Sequence, residues 1–271
     1  MNKTIEVINR KRLFSFLVLN SFSIIKFYSI FNNCYVIFKI CDIILIENEN
    51  LKVSLMNKEW SKFNKEVKVL LNRKSSFNEG IKKLIKFRTL LFNEWFNSMK
   101  DLSSDDYSKQ PLINREGYES KTISYSIYHV FRIEDIVLNT LIKNKQQIFI
   151  RDNYQSKTNS AIMTTGNELV NESISVFSKT LIIEELWDYA KNVFKESNEW
   201  LLSITYDDLK IKYSKLDEER IQSTNTVAKS ENWLIEYWCS KDIKGLLGMP
   251  FSRHWIMHLE ASLRIKNKLI E

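Results

Sequence analysis

The scarcity of glycine and proline restricts the fold of this chain more than any other feature. Its 271 residues include only five glycines and two prolines. Tight turns and β-hairpins depend on these residues, because glycine reaches positive φ and proline fixes its own φ. So few of them, in a chain long enough for one sizeable core, predict long helices and an all-α fold.

Helical periodicity leads to the same fold class. Apolar residues recur every three or four positions, the pattern of helices that bury one face. The long predicted helices are 77–100, 122–143, 181–205 and the segment after Pro250, with shorter ones at 57–72 and 230–245. Together they predict a four-helix bundle with additional short helices. The polar segments 146–166 and 206–225 are expected to be irregular or exposed.

Residues 1–55 differ in composition from the rest of the chain. Uncharged runs of thirteen and twelve residues lie at 13–25 and 27–38. Each run is shorter than the ~20 apolar residues of a membrane-spanning helix, and no small-residue cleavage site follows. We therefore divide the chain into a poorly defined apolar extension, 1–55, and a helical domain, 56–271. The extension is either a spurious or loosely attached segment, with translation beginning at Met56, or a membrane anchor.

The charge of the chain is concentrated in one segment. The net charge is +7, and residues 56–88 alone carry ten Lys and Arg against three Glu. These cations fall on the polar sides of amphipathic segments, and no nucleic-acid-binding motif accompanies them. We therefore expect no nucleic-acid partner.

Cysteine usage indicates a reducing compartment. The three cysteines, Cys34, Cys41 and Cys239, have no C-x-x-C spacing. They form neither a disulfide framework nor a cysteine-type zinc site, so a cytoplasmic location is expected. Cys239 is interpreted as a packed core thiol.

Two of the three histidines share one helical face. His254 and His258 are four residues apart, so their imidazoles can reach one metal ion from the same side. His129 lies in a second amphipathic segment, and antiparallel packing would bring the three rings together. Three histidines with an open fourth position are typical of catalytic zinc. The alternative is that these histidines are hydrogen-bonded core residues.

Apolar neighbours place these histidines on buried faces. The predicted inward faces are Tyr125, Ser126, His129, Ile133, Ile136, Val137 and Leu141 in the first segment, and Leu247, Phe251, His254, Trp255, His258, Ala261, Ser262, Ile265 and Leu269 in the second. A buried histidine without a partner is costly, so three that face one core favour a shared ligand.

These motifs carry a family resemblance. The segment His129–Asp135 has the form H-x-x-R-I-E-D, and Gly245–Pro250 leads into the later H-x-x-x-H and Leu263–Ile265. Their order and position resemble the DinB-like superfamily of bacterial four-helix-bundle metal proteins. The resemblance covers about residues 75–270 and leaves 1–55 unexplained.

The resemblance implies a metal site formed by His129, His254 and His258 within the bundle. It implies a divalent ion, zinc, nickel or a related one, and an activity like that of the thiol-dependent S-transferases and maleylpyruvate isomerase of that superfamily. Two departures leave the substrate undefined. Leu259–Ser262 replaces the arginine and glycine that follow the last histidine in many relatives, and an insertion at 146–178 lengthens the gap between histidines.

The predicted chemistry is activation of a water or a low-molecular-weight thiol for attack on a small-molecule electrophile. Arg132 is the candidate for orienting an anionic substrate; its alternative role is a surface ion pair. Glu134 and Asp135 are expected to form salt bridges or to support the metal ligands without binding the ion directly. Glu260 is expected to have a structural role.

The aromatic residues near the histidines are assigned mainly to packing. Tyr125, Trp255 and Tyr237 are expected in the core, with pocket lining as the alternative. A non-catalytic bundle, in which the metal joins two helices or the site is vestigial, is the competing function. A homodimer is compatible with the sequence.

Overall fold

The computed structural model describes the backbone of residues 34–113 and 121–270, and the side chains of residues 53–113 and 121–270. Within these ranges the chain is helical and has no strand, which confirms the all-α fold. The helices are α1 (Cys34–Leu71), α2 (Phe77–Met99), α3 (Ile123–Asp135), α4 (Ile148–Arg151), α5 (Tyr154–Lys157), α6 (Glu172–Thr180), α7 (Ile183–Ser203), α8 (Lys215–Ser223), α9 (Trp233–Cys239), α10 (Ile243–Gly248) and α11 (Arg253–Ile270).

Four helices form the bundle. Helix α3 packs against α7 and α11, and α2 packs against the same two helices. Helices α2, α7 and α11 each bury one apolar face, as predicted from the three- and four-residue spacing, whereas every residue of α3 is buried. The predicted stripe of α2 is buried, including Leu84, Leu91 and Trp95. One part of the core is rich in aromatic side chains, and another is mainly aliphatic.

Helix α1 is longer than predicted. The expected start near residue 57 is wrong, because the chain is already helical at Cys34. The 34–71 segment contains neither glycine nor proline, so a change in composition alone does not end the helix. Leu51–Ile270 form one compact unit, and Val53 is buried in its core. The predicted division at residue 55 stays a prediction.

Most of the predicted extension, residues 1–33, lies outside the described residues. Among the helices that are described, none is both long enough and apolar enough to cross a membrane. Residues 114–120 also lie outside the described ranges.

The helix that carries His129 begins and ends as predicted. Thr122 caps it, since its hydroxyl accepts a hydrogen bond from the Tyr125 amide at 3.0 Å. After Asp135 the helix continues as a π-helical stretch, Ile136–Ile142. Through this stretch the helical segment continues to the predicted end near Lys143.

Three short helices lie in segments that were predicted to be irregular or exposed. Segments 146–166 and 206–225 contain α4, α5 and α8, and the Ile221 side chain is fully buried. The expectation that 206–225 is exposed is therefore wrong in part. Helices of four to nine residues are marginal by themselves and form through tertiary packing, which periodicity does not report.

Cys239 is a packed core thiol, as interpreted from the sequence. Its side chain is buried, and burial raises the pKa of its thiol to about 12. A protonated, buried thiol is a poor nucleophile, so it behaves as a small apolar residue.

Candidate metal centre

The structure brings the three predicted histidines together. Helix α3 presents His129 to the face of α11 that carries His254 and His258, and their ring centroids are 4.7 to 5.0 Å apart. One nitrogen of each ring lies within 4.8 Å of a nitrogen of the other two. All three side chains are buried, with 4 to 5% of their surface exposed.

This spacing fits a metal ion after a small adjustment. A tetrahedral zinc ion about 2 Å from each nitrogen places the nitrogens about 3.4 Å apart. Moving each ring by less than about 1 Å closes the observed separation. His254 and His258 project from successive turns of α11, so both reach the ion from one side.

The loop after α5 fixes the orientation of His129. Its Nδ1 lies 2.8 Å from the carbonyl oxygen of Thr165. A carbonyl oxygen only accepts, so Nδ1 carries the proton and Nε2 keeps its lone pair. The ring of Tyr125 stacks on the imidazole with centroids 5.4 Å apart. Nε2 is therefore the atom of His129 that is free to bind a metal ion. A hydrogen bond from the other ring nitrogen to a carbonyl oxygen is usual for metal-bound histidine.

Successive carbonyls of this loop accept hydrogen bonds from α3. We call residues 162–166 the carbonyl strap. Tyr128 donates to the carbonyls of residues 162 and 164, Arg132 to that of Met163, and Tyr125 to that of Gly166. Gly166 has φ of +79°, which few other residues adopt at low cost. The strap holds the Thr165 carbonyl against His129.

His254 and His258 differ from His129 in having an unsatisfied ring nitrogen. Their Nδ1 atoms are buried and have no hydrogen-bond partner. Leaving a buried polar atom unpaired costs about 1–3 kcal/mol. A neutral imidazole offers one nitrogen lone pair to a metal ion, and three imidazoles that converge within 4.8 Å are a donor set that fits the implied group.

Burial keeps all three imidazoles neutral. It lowers the pKa of His129 to about 4, and it lowers the pKa of His254 and His258 well below the usual range, with a smaller effect from the neighbouring imidazoles. Neutral imidazole is the form that coordinates metal. The cluster is therefore ready to bind a cation at neutral pH.

The histidines line a cavity of about 350 Å³. Its wall is mainly apolar and aromatic. The remaining lining residues are Ile133, Asn167, Trp233, Leu234, Tyr237, Trp238, Met249, Pro250 and Met257. Trp233, Tyr237 and Met257 are exposed, so they form its mouth. The expectation that Tyr237 is a core residue is wrong, because α9 places its side chain at this opening; the alternative, pocket lining, is the one observed.

Arg132 lies elsewhere. Its side chain is fully buried, so the predicted surface ion pair is wrong. The guanidinium pairs with Asp135 at 3.4 Å and donates to Gln147 at 2.9 Å and to the Met163 carbonyl at 2.6 Å. It is not among the residues that line the histidine cavity. Its contacts link α3 to the strap.

Glu134 belongs to a second buried cluster, which we call the Arg88 network: Arg88, Glu134, Ser197 and Trp255. Arg88 binds both carboxylate oxygens of Glu134, at 3.0 and 2.6 Å. The Ser197 hydroxyl donates to the same carboxylate at 2.6 Å, and the Trp255 indole N–H also donates to it, at 2.7 Å. The network joins all four bundle helices. The salt-bridge role predicted for Glu134 is confirmed.

Arg88 was placed wrongly by the sequence analysis, among the cations of residues 56–88 on polar helix faces, whereas its side chain is fully buried. It lies on the buried stripe of α2, between Leu84 and Leu91. The sequence indicated this, because a charged residue occupies a position where the helical periodicity predicts an apolar one. A charged residue at such a position is buried only if it is paired, so the pattern predicts a carboxylate partner on a neighbouring helix.

The other predicted carboxylates have structural contacts. Asp135 accepts from the amides of Ile148 and Phe149, at 3.0 and 2.9 Å, and so fixes the start of α4. Glu260 pairs with Arg264 at 2.9 Å and accepts from Asn57. Neither contributes a ligand to the histidine cluster, in line with their predicted roles.

Comparison with known proteins gives no further assignment. No protein-family model matches the chain. No curated protein matches it either. The case for function therefore depends on the geometry of the site.

Proposed function

We propose that this chain is a divalent-metal-dependent enzyme related to the DinB-like superfamily. The observation that supports it is the convergence of His129, His254 and His258 on one wall of an accessible cavity. We propose hydrolysis or S-transfer on a small electrophile as its reaction, with a cytoplasmic location and no nucleic-acid partner.

The histidines hold the ion, and the chemistry follows from their neutrality. Three neutral imidazoles leave a bound dication its full charge, which lowers the pKa of a water or thiol beside it toward neutral. His129 is oriented through Thr165, while His254 and His258 are fixed by their positions on α11. Zinc and nickel both suit imidazole ligands.

The cavity selects the other reactant. A volume of about 350 Å³ admits a small molecule. Trp233, Trp238 and Leu234 give it an apolar wall that excludes water, while Asn167 offers an amide for hydrogen bonding. We assign Arg132 to positioning of the strap rather than to contact with substrate, because its donors face protein acceptors.

One observation favours a non-catalytic alternative. The residues that line the histidine cavity include no carboxylate and no lysine, so beyond the ligands they offer only the Tyr237 hydroxyl as an acid or base. In this alternative the metal only joins α3 to α11. The two functions differ in whether an exchangeable position remains on the metal.

Metal analysis tests the site. The full-length chain is purified, stripped with a chelator, reloaded with zinc or cobalt, and assayed for bound metal. We expect one ion per chain in the parent, and a loss of about 10²-fold or more in affinity in His129→Ala. Tyr237→Phe, at the mouth of the same cavity, is the matched control and should keep the ion. A His129→Ala chain that binds cobalt as the parent does would contradict the proposal.

Ligand exchange distinguishes enzyme from staple. In the cobalt-loaded chain, thiols and inhibitory anions should change the visible spectrum if a coordination position is open. A spectrum that no small ligand alters would favour the structural alternative.

A further inference from the structure

A second, larger cavity adjoins the histidine cavity. Its volume is about 670 Å³, and we call it the basic groove. It lies between the end of α1, the turn from α9 to α10 and the start of α11. Its lining residues are Asn64, Val67, Lys68, Leu71, Asn72, Tyr237, Lys241, Asp242, Lys244, Gly245, Leu247, Gly248, Met249, Arg253 and Met257.

The charge of this lining is strongly unbalanced. Four cations, Lys68, Lys241, Lys244 and Arg253, face a single carboxylate, that of Asp242. That carboxylate accepts the Gly245 amide at 2.8 Å as the cap of α10, so part of its hydrogen-bonding capacity is already used. The groove therefore has an excess of three positive charges.

The four cations have no carboxylate partner among the residues that the structure describes. No ion pair includes them there, although lysines elsewhere on this surface, such as Lys83 and Lys143, do form ion pairs. Lys241 lies over the Tyr237 ring, 4.0 Å from its centroid. The unpaired cations raise the local concentration of anions in a partly enclosed space.

A buried amide gives an independent indication of a ligand. Asn64 lines the groove and is 6% exposed, and its Oδ1 is buried without a hydrogen-bond partner. The first amides of α11 at Arg253 add partial positive charge beside it. A ligand that carries both an anionic group and a hydrogen-bond donor satisfies the groove and this amide together.

The groove shares part of its wall with the histidine cavity. Tyr237, Met249 and Met257 line both cavities. Arg253 lies in the groove, and the next residue, His254, lies in the histidine cluster. A single small molecule can therefore place one end at the histidines and the other among the lysines.

We propose that the basic groove binds the carboxylate or phosphate group of the molecule on which the histidine centre acts. This inference rests on the proposed function and specifies the class of ligand: a small organic anion with a reactive end, electrophile or thiol, separate from its charged end. The lysines hold the charged end, and the apolar cavity receives the reactive end.

The test compares two triple variants of the full-length, zinc-loaded chain. Lys68→Gln/Lys241→Gln/Lys244→Gln removes three groove cations. Lys82→Gln/Lys179→Gln/Lys191→Gln removes the same charge from exposed positions outside the groove. Succinate and inorganic phosphate are the probes, measured by titration calorimetry.

We expect the parent and the control variant to bind succinate, phosphate or both, and the groove variant to bind about tenfold more weakly. The stronger probe identifies the anionic group. Equal weakening in both variants, or equal binding by all three chains, would overturn the proposal, as would absence of binding by the parent.

A thiol series separates this proposal from the proposed function. In the cobalt-loaded parent, mercaptosuccinate should bind about tenfold more tightly than uncharged 2-mercaptoethanol, and the groove variant should lose that preference. If succinate binding depends on the groove lysines but no thiol or anion changes the cobalt spectrum, the enzyme proposal fails and the groove remains an anion site. If thiols bind without preference for carboxylates, the link between the groove and the centre fails.

Discussion

The Arg88 network and the histidine cluster are both buried, both polar and both built on α3 and α11, but their hydrogen bonds are completed to different degrees. Every side-chain nitrogen and oxygen of Arg88, Glu134, Ser197 and Trp255 that is buried has a partner. In the histidine cluster, the Nδ1 atoms of two rings have none.

The difference indicates what each cluster is for. A saturated network has no donor or acceptor left for a ligand, so its role is to fix the four helices against one another. The histidine cluster keeps buried ring nitrogens without partners, which is a cost to the stability of the folded chain. The first therefore supports the fold, and the second has the composition of the metal site that we propose. The predictions below test this contrast, from the largest expected effect to the smallest.

Removing the charge of Glu134 should produce the largest loss of stability. Glu134→Gln leaves the Arg88 guanidinium buried without a counter-charge, so we expect the free energy of unfolding to fall by about 3–5 kcal/mol. Urea denaturation measures it. Glu260→Gln is the control, since its partner Arg264 is partly exposed, and should cost less than about 1 kcal/mol. Equal effects at the two positions would remove the distinction.

Metal should stabilise the parent through the histidine cluster alone. Zinc at about a thousandfold excess over its Kd should raise the free energy of unfolding by about 4 kcal/mol. His258→Ala should lose this gain, and Glu134→Gln should keep it if the chain remains folded. Urea unfolding with zinc and with chelator gives the comparison. A zinc gain that survives in His258→Ala would place the ion elsewhere.

Acid should destabilise the metal-free chain. Burial lowers the pKa of His129 from 6.5 to about 4, so the unfolded chain binds a proton in this range and the folded chain does not. Stability is therefore fully present above pH 6.5 and falls as pH decreases toward 4, by up to about 3 kcal/mol for this residue. The other two histidines, whose pKa values are also lowered, add to the loss.

The measurement is the unfolding free energy against pH in the presence of a chelator. His129→Gln should show a shallower slope below pH 6.5 than the parent, because it lacks one of the three titrating groups. Parallel slopes for the two chains would show that His129 is not held neutral by the fold.

Disturbing the carbonyl strap should have the smallest effect. In Gly166→Ala a Cβ would lie 3.2 Å from Cε2 of Tyr125, at a backbone φ of +79°. We expect a cost of about 1 kcal/mol in stability and a decrease of about tenfold in metal affinity, as the Thr165 carbonyl shifts from His129. Gly248→Ala is the control, because its Cβ meets no atom closer than 3.6 Å. Unchanged zinc affinity in Gly166→Ala would mean that the strap does not position His129.

The helical bundle and the grouping of the three histidines could be predicted from the sequence for the same reason. Helical periodicity reports which face of a segment is buried, and it placed His129, His254 and His258 on inward faces. Spacing along one helix also fixed the relation of His254 to His258. Nothing local links His129 to Thr165, which are far apart in the chain and meet only because α4 and α5 turn the loop back over α3.

The burial of charged residues was harder to predict from the sequence. The sequence placed Arg132 at the surface or at a substrate, because arginine usually keeps its charge in water. The structure buries it against Asp135, Gln147 and the strap, and buries Arg88 against Glu134. Burial of a charge depends on a partner from another helix, and that partner is fixed by packing.

The sequence by itself determined that the chain is helical, which faces of its long helices are buried and which three side chains can share an ion. These properties depend on residue spacing within single segments. Only the tertiary structure decided that the rings meet at the wall of a cavity, that the strap orients one of them, and that a basic groove opens beside them. Each of these depends on how distant helices pack and where the loops between them run.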